Sequence, residues 1–428
     1  MAHAYESLVD PKDLRHNKLH ISDRAFHDWY RFVLSYPPHL VRSYIEKFGL
    51  AGDAVVLDPF SGTGTTVLEA KKNGLAAVGV EATPISFLAS RLKSDWEVDA
   101  ALLEAAAERV LSRLNQSEPN AAPESADLLR LNDEQQTLIL KNSIGELPLH
   151  KCLGLVGAIA QEPDLQLRDI LRLALAYTAV HKASNLKFGP EVGVSRRKKE
   201  DAPVYQDWRN KVAQMAEDLA SVKALDYPPT QVFQQDSRFV GKVLQPNSID
   251  AVITSPPYPN EKDYTRTTRL ESVLLGYLNT KADLRALKEG LMRSNSRNVY
   301  SLDDDDQLIA PGSSVDRLAR EIEQKRLDLG KTSGFERKYH RVTRLYFGGM
   351  QRHLQSLQPA LKPGARLAYV VGDQASFLRV MIRTGELLAE IAEGVGYEVE
   401  NIDLFRTRVS TATGEQLREE VVRLRWPG

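Results

Sequence analysis

The chain alternates short, continuously apolar runs with longer amphipathic ones. AVVLDPF (54–60) is apolar without alternation, the pattern of a strand buried on both faces. SGTGTT follows, and VLEAKKNG then predicts a helix that Gly74 stops. LAAVGVEA (75–82) predicts a second buried strand ending near Glu81, and TPISFLASRLKSDW (83–96) restarts a helix. Strand–helix–strand–helix of this kind implies a right-handed parallel unit. TQVFQQD (230–236), SIDAVITSPP (248–257), ARLAYVVGD (365–373), YEVENIDLFRTR (397–408) and EEVVRLRW (419–426) predict five further strands. The expected class is therefore α/β, with a seven-stranded sheet and helical insertions.

Between these strands the pattern changes. Residues 26–50 carry aromatic and aliphatic positions at roughly helical spacing, interrupted at Pro37 and Pro38, which can open a second helix over 39–48. That segment either packs against the sheet or covers a ligand site. ALLEAAAERVLSRL and LRDILRLALAYTAVHKA are helical, QSEPNAAPES (116–125) is a linker-like break, and KFGPEVGVSRRKKEDAP (187–203) reads as a polar, basic loop. Residues 260–345 form a second insertion, in which DDDD (303–306) reads as a solvated loop, with a metal site as the lesser alternative. The expected organisation is 1–97 (N-terminal helices and the first half of the core), 98–228 (a helical insertion, a candidate DNA-reading subdomain) and 229–428 (the second half of the core with its insertion).

Composition narrows the class little. Fifty-six basic and 57 acidic residues give a formal net charge of −1, so no global field draws the chain to nucleic acid, although a local basic face is compatible with that balance. One cysteine, Cys152, excludes an intrachain disulfide framework or a thiolate metal cluster. The N-terminus lacks the apolar core of a signal peptide, and no run approaches ~18 consecutive apolar residues, so no membrane span is expected and the cytoplasm is the expected compartment.

Four motifs carry chemistry. DPFSGTGTT (58–66) places a glycine-rich turn between a buried strand and a helix, where backbone can approach a ligand closely. It lacks the Gly-Lys-Ser/Thr ending of a phosphate loop, and Gly62-x-Gly64 lacks the third glycine of a dinucleotide fingerprint. Asp58 at the strand tip suits a cationic group, such as the amine of a methionine moiety. Glu81, at the next tip, is placed to accept from both hydroxyls of a ribose, or is a surface carboxylate. Asp236 faces an adenine amine or caps a helix. At the fourth tip, Ser255-Pro256-Pro257-Tyr258 combines a hydroxyl, a fixed carbonyl and a flat ring, a receptor for the exocyclic amine of a flipped-out base or else a rigid turn.

Together, DPFSGTGTT, Glu81, Asp236 and TSPPY resemble the S-adenosylmethionine-dependent amino-methyltransferases of DNA. SPPY is most similar to the cytosine-N4 branch, whereas the adenine-N6 branch more often has Asp or Asn in place of Ser255. The resemblance covers the sheet-forming half of the chain and implies a Rossmann-like methyltransferase sheet. It implies that Asp58, Pro59, Phe60, Gly62, Gly64 and Thr65 hold the methionine end and turn, that Glu81 holds the ribose and Asp236 the adenine, and that Ser255, Pro256, Pro257 and Tyr258 form the target-base site. It also implies double-stranded DNA as partner, leaves room for a cognate restriction endonuclease, and says nothing of oligomeric state. The basic run Arg196, Arg197 and Lys198, and Lys262, Tyr264 and Arg266 just past SPPY, are the candidate DNA contacts. No metal site is expected. Adenine-N6 methylation, RNA base methylation and a silent DNA-binding module are the remaining alternatives. Cytosine-C5 chemistry needs a nucleophilic cysteine, and Cys152 lies in the apolar helical run KCLGLVGAIA.

Overall fold

The computed structural model describes residues 19–31, 35–117, 127–189, 191–223, 226–260, 262–409 and 413–428. Among these, the strands are β1 (Val55–Asp58), β2 (Ala76–Glu81), β3 (Leu186–Phe188), β4 (Val192–Val194), β5 (Thr230–Gln234), β6 (Ile249–Thr254), β7 (Leu361–Gly372), β8 (Glu398–Val409) and β9 (Gln416–Arg425). Seven of them make one sheet in the order β5-β2-β1-β6-β7-β9-β8. The first five are parallel, and β9 runs antiparallel between β7 and β8. This is a Rossmann-like methyltransferase sheet. Its inner strands are short and apolar because helices cover both faces: Val56, Leu57, Val252 and Ile253 are wholly buried.

The order of connection reverses between β1 and β6. β2 and β5 lie on one side of β1, β6 and β7 on the other, with Val56 beside Ala251 and Leu57 beside Val252. At such a switch the loops leaving the strand ends diverge and open a crevice.

Helices α1 (Pro38–Lys47), α2 (Thr65–Lys72) and α3 (Pro84–Ser94) belong to the first half of the sheet. Proline opens both α1 and α3, where its missing N–H is no loss. Helices α4 (Ala100–Ser117), α5 (Glu146–Ala160), α6 (Leu165–Tyr177) and α7 (Val204–Val222) fill the stretch read as a helical insertion. They share one core with α3 and the N-terminal segment, including Trp29, Leu92, Leu103, Ile170 and Trp208. The break at 116–125 lies mostly outside the described residues.

Three expectations need correction. The basic loop over 187–203 contains a hairpin: β3 pairs antiparallel with β4, Leu186 opposite Val194. Its strands are three residues each, too short to show a period among charges. Residues 28–31 and 35–37 do not continue the expected helix. Helical turns end at His27, and Phe26 takes a left-handed φ of 62° while its N–H and the Trp29 indole both donate to Asp218 Oδ2, at 3.0 and 2.7 Å. Finally, DDDD is not a solvated loop throughout: of its four carboxylates only Asp304 is exposed. Asp303 pairs with Arg293 and Asp306 with Arg341, while Asp305, 1% exposed, takes Arg238 at 2.7 Å and Arg352 at 2.5 Å. The run reads as a solvated face because its arginines stand 10 to 67 positions away in sequence.

Candidate active site

At the C-terminal ends of the parallel strands lies a cavity of about 670 Å³. Phe60, Gly62, Thr65, Glu81 and Asp236 line it, and so do Ser255, Pro256, Pro257 and Tyr258. The glycine turn and the serine–proline corner thus open into one space. Lys262 and Tyr264 line it as well. Asp58, Pro59, Gly64, Arg196, Arg197, Lys198 and Arg266 are not among the lining residues. Arg196, Arg197 and Lys198 are exposed on the segment that follows β4, whose hairpin contributes Glu191 to the cavity rim.

The turn after β1 is built for close approach. Gly62 and Gly64 have φ of 51° and 84°. A Cβ on Gly64 would stand 2.8 Å from Ser90 Oγ and 2.9 Å from Ser90 Cα, so α3 packs against bare backbone there. The buried Lys93 donates to Thr63 O at 2.9 Å and ties the turn to the same helix, and burial holds its ammonium well below the ordinary lysine range. Glu81 accepts from Gly62 N at 2.9 Å and Thr83 N at 2.7 Å, and burial pushes its carboxyl up to about 7. Ser61, Thr63 and Ser86 also line the cavity, and their buried hydroxyls have no hydrogen-bond partner.

Asp58 is wholly buried. It accepts from Tyr36 Oη at 2.9 Å, Thr254 Oγ1 at 2.6 Å and Phe60 N at 3.1 Å, while burial raises its carboxyl to about 6. Asp236 does what its N-cap alternative required, accepting from Arg238 N at 3.0 Å, and it grips the Arg238 guanidinium as well. It nevertheless lines the cavity.

At the corner, β6 ends with Thr254, after which the prolines permit no further ladder donation. Ser255 Oγ donates to Val370 O on the neighbouring strand at 3.2 Å, which leaves its lone pairs to accept. Tyr258 lies against Gly372: a Cβ there would meet Tyr258 Cε2 at 3.0 Å. Burial, and then the charge of Glu419, push the Tyr258 hydroxyl above its ordinary range. Glu419 on β9 lines the same cavity, gripped by Arg406 at 2.6 and 3.0 Å. Asn298, also lining it, is 4% exposed, and its Oδ1 is without a partner. The sequence reading missed Tyr36, Asn298, Arg406 and Glu419. Arg406 and Glu419 sit in strands whose alternation announces only a sheet, and nothing local marks Tyr36.

Comparison with known proteins bears on this geometry. A family profile described as DNA methylase, of the N6/N4 type, matches residues 11–85, the stretch that contains the glycine turn and Glu81. The type II methyltransferase M.BsoBI of Geobacillus stearothermophilus is 27% identical over 441 residues, covering 94% of this chain and 84% of its own length. The type II methyltransferase M.AvaI of Nostoc sp. is 22% identical over 417 residues, covering 89% and 80%.

The chain is similar to DNA methyltransferases of the N4/N6 amino family.

A solved structure, TrmN from Thermus thermophilus, aligns over 94% of this chain and 52% of that one at 10% identity with a TM-score of 0.32, a level at which the fold rests on the strand order alone. The cofactor of this methyltransferase is S-adenosylmethionine. The donor set suits it: a half-buried carboxylate at the β2 tip and unpartnered hydroxyls around a glycine turn offer acceptors and donors to a ribose and an amino acid end. Cys152 is buried in α5, its thiol pushed up to about 12 by burial. Among the described residues no helix is long and apolar enough to cross a membrane.

Proposed function

We propose that this methyltransferase modifies the N4 amine of cytosine in double-stranded DNA, acting on a base flipped out of the duplex. The observation that carries the reading is the single cavity into which both the glycine turn and Ser255-Pro256-Pro257-Tyr258 open. At about 670 Å³ it lies within the ~300–1,000 Å³ typical of small-molecule sites. The cavity extends from the cofactor motifs to the corner, so a nucleoside end and a base can meet in it.

In this reading Phe60, Gly62 and Thr65 bound the methionine end, with Asp58, Pro59 and Gly64 shaping the turn from beneath. Glu81 takes the ribose and Asp236 the adenine side. S-adenosylmethionine, when bound, supplies an electrophilic methyl group. The chain's own contribution is placement. An exocyclic amine is conjugated with its ring and poorly nucleophilic. Ser255 Oγ and the Pro256 carbonyl accept its two protons and draw the nitrogen toward tetrahedral geometry, freeing its lone pair, while Tyr258 stacks on the ring. Alignment of two reactants can supply about 7–11 kcal/mol of the barrier, and exclusion of water by the closed corner adds to it. Cytosine is favoured over adenine because Ser255 stands where the adenine branch more often has Asp or Asn.

Lys262, Tyr264 and Arg266 follow the corner and, in this reading, meet the backbone around the flipped nucleotide. The exposed Arg196, Arg197 and Lys198 contact flanking phosphates, close in sequence to Glu191 at the cavity rim. The type II naming of the relatives supports a setting in which a cognate endonuclease cuts DNA that this enzyme leaves unmodified. Incubation with tritiated S-adenosylmethionine and either DNA or total RNA tests the reading. Label in DNA is expected. Label in RNA alone, or in neither, contradicts it.

A further inference from the structure

The proposed reaction leaves one proton unassigned. An exocyclic amine that has gained a methyl group is cationic until it releases a proton. Ser255 accepts a hydrogen bond but is too weak a base to keep that proton, and its own hydroxyl hydrogen is committed to Val370 O.

Four carboxylates line the cavity: Glu81, Asp236, Glu191 and Glu419. Glu81 receives two backbone N–H groups at the turn, and Asp236 is locked to Arg238, both on the cofactor side. Glu191 is exposed on the hairpin. Glu419 is different. It pairs across the sheet with Gly372, and a Cβ on that glycine would stand 3.0 Å from Tyr258 Cε2 and 3.4 Å from Glu419 Cγ. The absent side chain of one residue therefore lets the aromatic plate and the carboxylate come to the same place. Glu419 is faced by Arg406 and Arg408 from β8, and by Tyr258 and Lys262 from the segment after β6, while β7 presents only the bare Gly372. The Arg406 fork fixes the plane of the carboxylate; Arg408 Nε also stands 3.4 Å from Oε1, whereas Oε2 takes Arg406 Nε and keeps a second lone-pair site toward the cavity.

We propose that Glu419 is the proton acceptor of the methyl transfer, oriented by Arg406. The inference rests on the proposed function. In the step, the nitrogen–carbon bond forms as the carbon–sulfur bond breaks and the electron pair of the broken bond stays on sulfur; one proton of the now cationic amine then exchanges its hydrogen bond to Ser255 Oγ for the Glu419 carboxylate, which takes it and passes it to water. Arg406 is a positioning residue, since it acts only through Glu419.

The test uses the full chain, unmodified bacteriophage DNA and single-turnover kinetics. Glu419→Gln keeps the shape of the side chain and still accepts from Arg406. It is expected to slow methyl transfer by about 10²-fold, the ordinary contribution of a positioned base, with the dissociation constant of S-adenosylmethionine unchanged by calorimetry. Glu419→Ala is expected to be equally slow and to regain rate when formate is added, because a free carboxylate can enter the space the side chain leaves. A role confined to holding Arg406 in place would leave Glu419→Gln, which still accepts from Arg406, near the wild-type rate. Wild-type rate in Glu419→Gln overturns the proposal, and so does slow transfer in both variants without formate rescue. If the wild-type protein labels DNA in these experiments, the function stands whatever Glu419 does. If it labels none, the reading beneath the proposal falls with it.

Discussion

In the proposed function, Ser255 and Glu81 set the chemistry at the scale of single residues. Ser255→Ala removes an acceptor that has no substitute at the corner, an effect of about 1–3 kcal/mol, or roughly 5-fold to 10²-fold in turnover. The affinity for S-adenosylmethionine is expected to hold, and kinetics set beside calorimetry check both. Glu81 carries a pH dependence of definite sign. Its carboxyl is raised by burial from an ordinary 4.5 to about 7. In the free protein this group therefore favours folding when protonated: its contribution is complete below 4.5 and is lost as pH rises through about 7. Ribose hydroxyls need the ionised form as acceptor, so cofactor affinity is expected to rise with pH, by at most about tenfold per unit, and to level off above about 7. Calorimetry across that range checks it, and Glu81→Gln should flatten the profile. Affinity that falls as pH rises would contradict the role. Both residues were legible in the sequence because each stands at the tip of a strand that its apolar run announces. Asp58 was legible as a tip residue, but not its surroundings. Tyr36 and Thr254, which occupy its oxygens, come from segments 22 and 196 positions away.

Strands were easier to read than connections at the scale of elements. Runs such as VVLD and IDAVIT, covered on both faces, have no polar alternation to confuse them, and all seven sheet strands fall where the apolar pattern puts them. The hairpin β3–β4 and the acidic run escaped for one shared reason: what makes them ordered lies elsewhere in the chain. Asp305 illustrates it. Its carboxylate lies between Arg238 and Arg352 and is 2% exposed, whereas its neighbour Asp304 is 64% exposed and touches Arg352 from outside. Asp305→Ala leaves the buried Arg238 short of a partner and is expected to cost about 3–5 kcal/mol of stability. Asp304→Ala should stay within about 0.5 kcal/mol. Denaturant unfolding of the two variants checks the contrast, and equal effects would mean that the acidic run is solvated after all.

The whole molecule joins two chemistries at one topological switch. Because β1 and β6 are neighbours, the glycine turn that follows one and the proline corner that follows the other cannot avoid sharing a crevice. The strand order could not be read directly from the pattern of runs, since adjacency depends on how crossovers pack. It was the pairing of two motifs, each uninformative alone, that implied it. The helices between 100 and 222 and the insertion after the corner surround this sheet, and which of them reads the flanking sequence depends on side chains facing a duplex rather than on any period in the chain. What the cavity does to its substrate is the claim from which the residue roles follow. Digestion of DNA methylated by the purified protein to nucleosides, with mass analysis of the products, tests it most directly. N4-methylcytosine is the expected product; N6-methyladenine in its place, or 5-methylcytosine, would contradict the account.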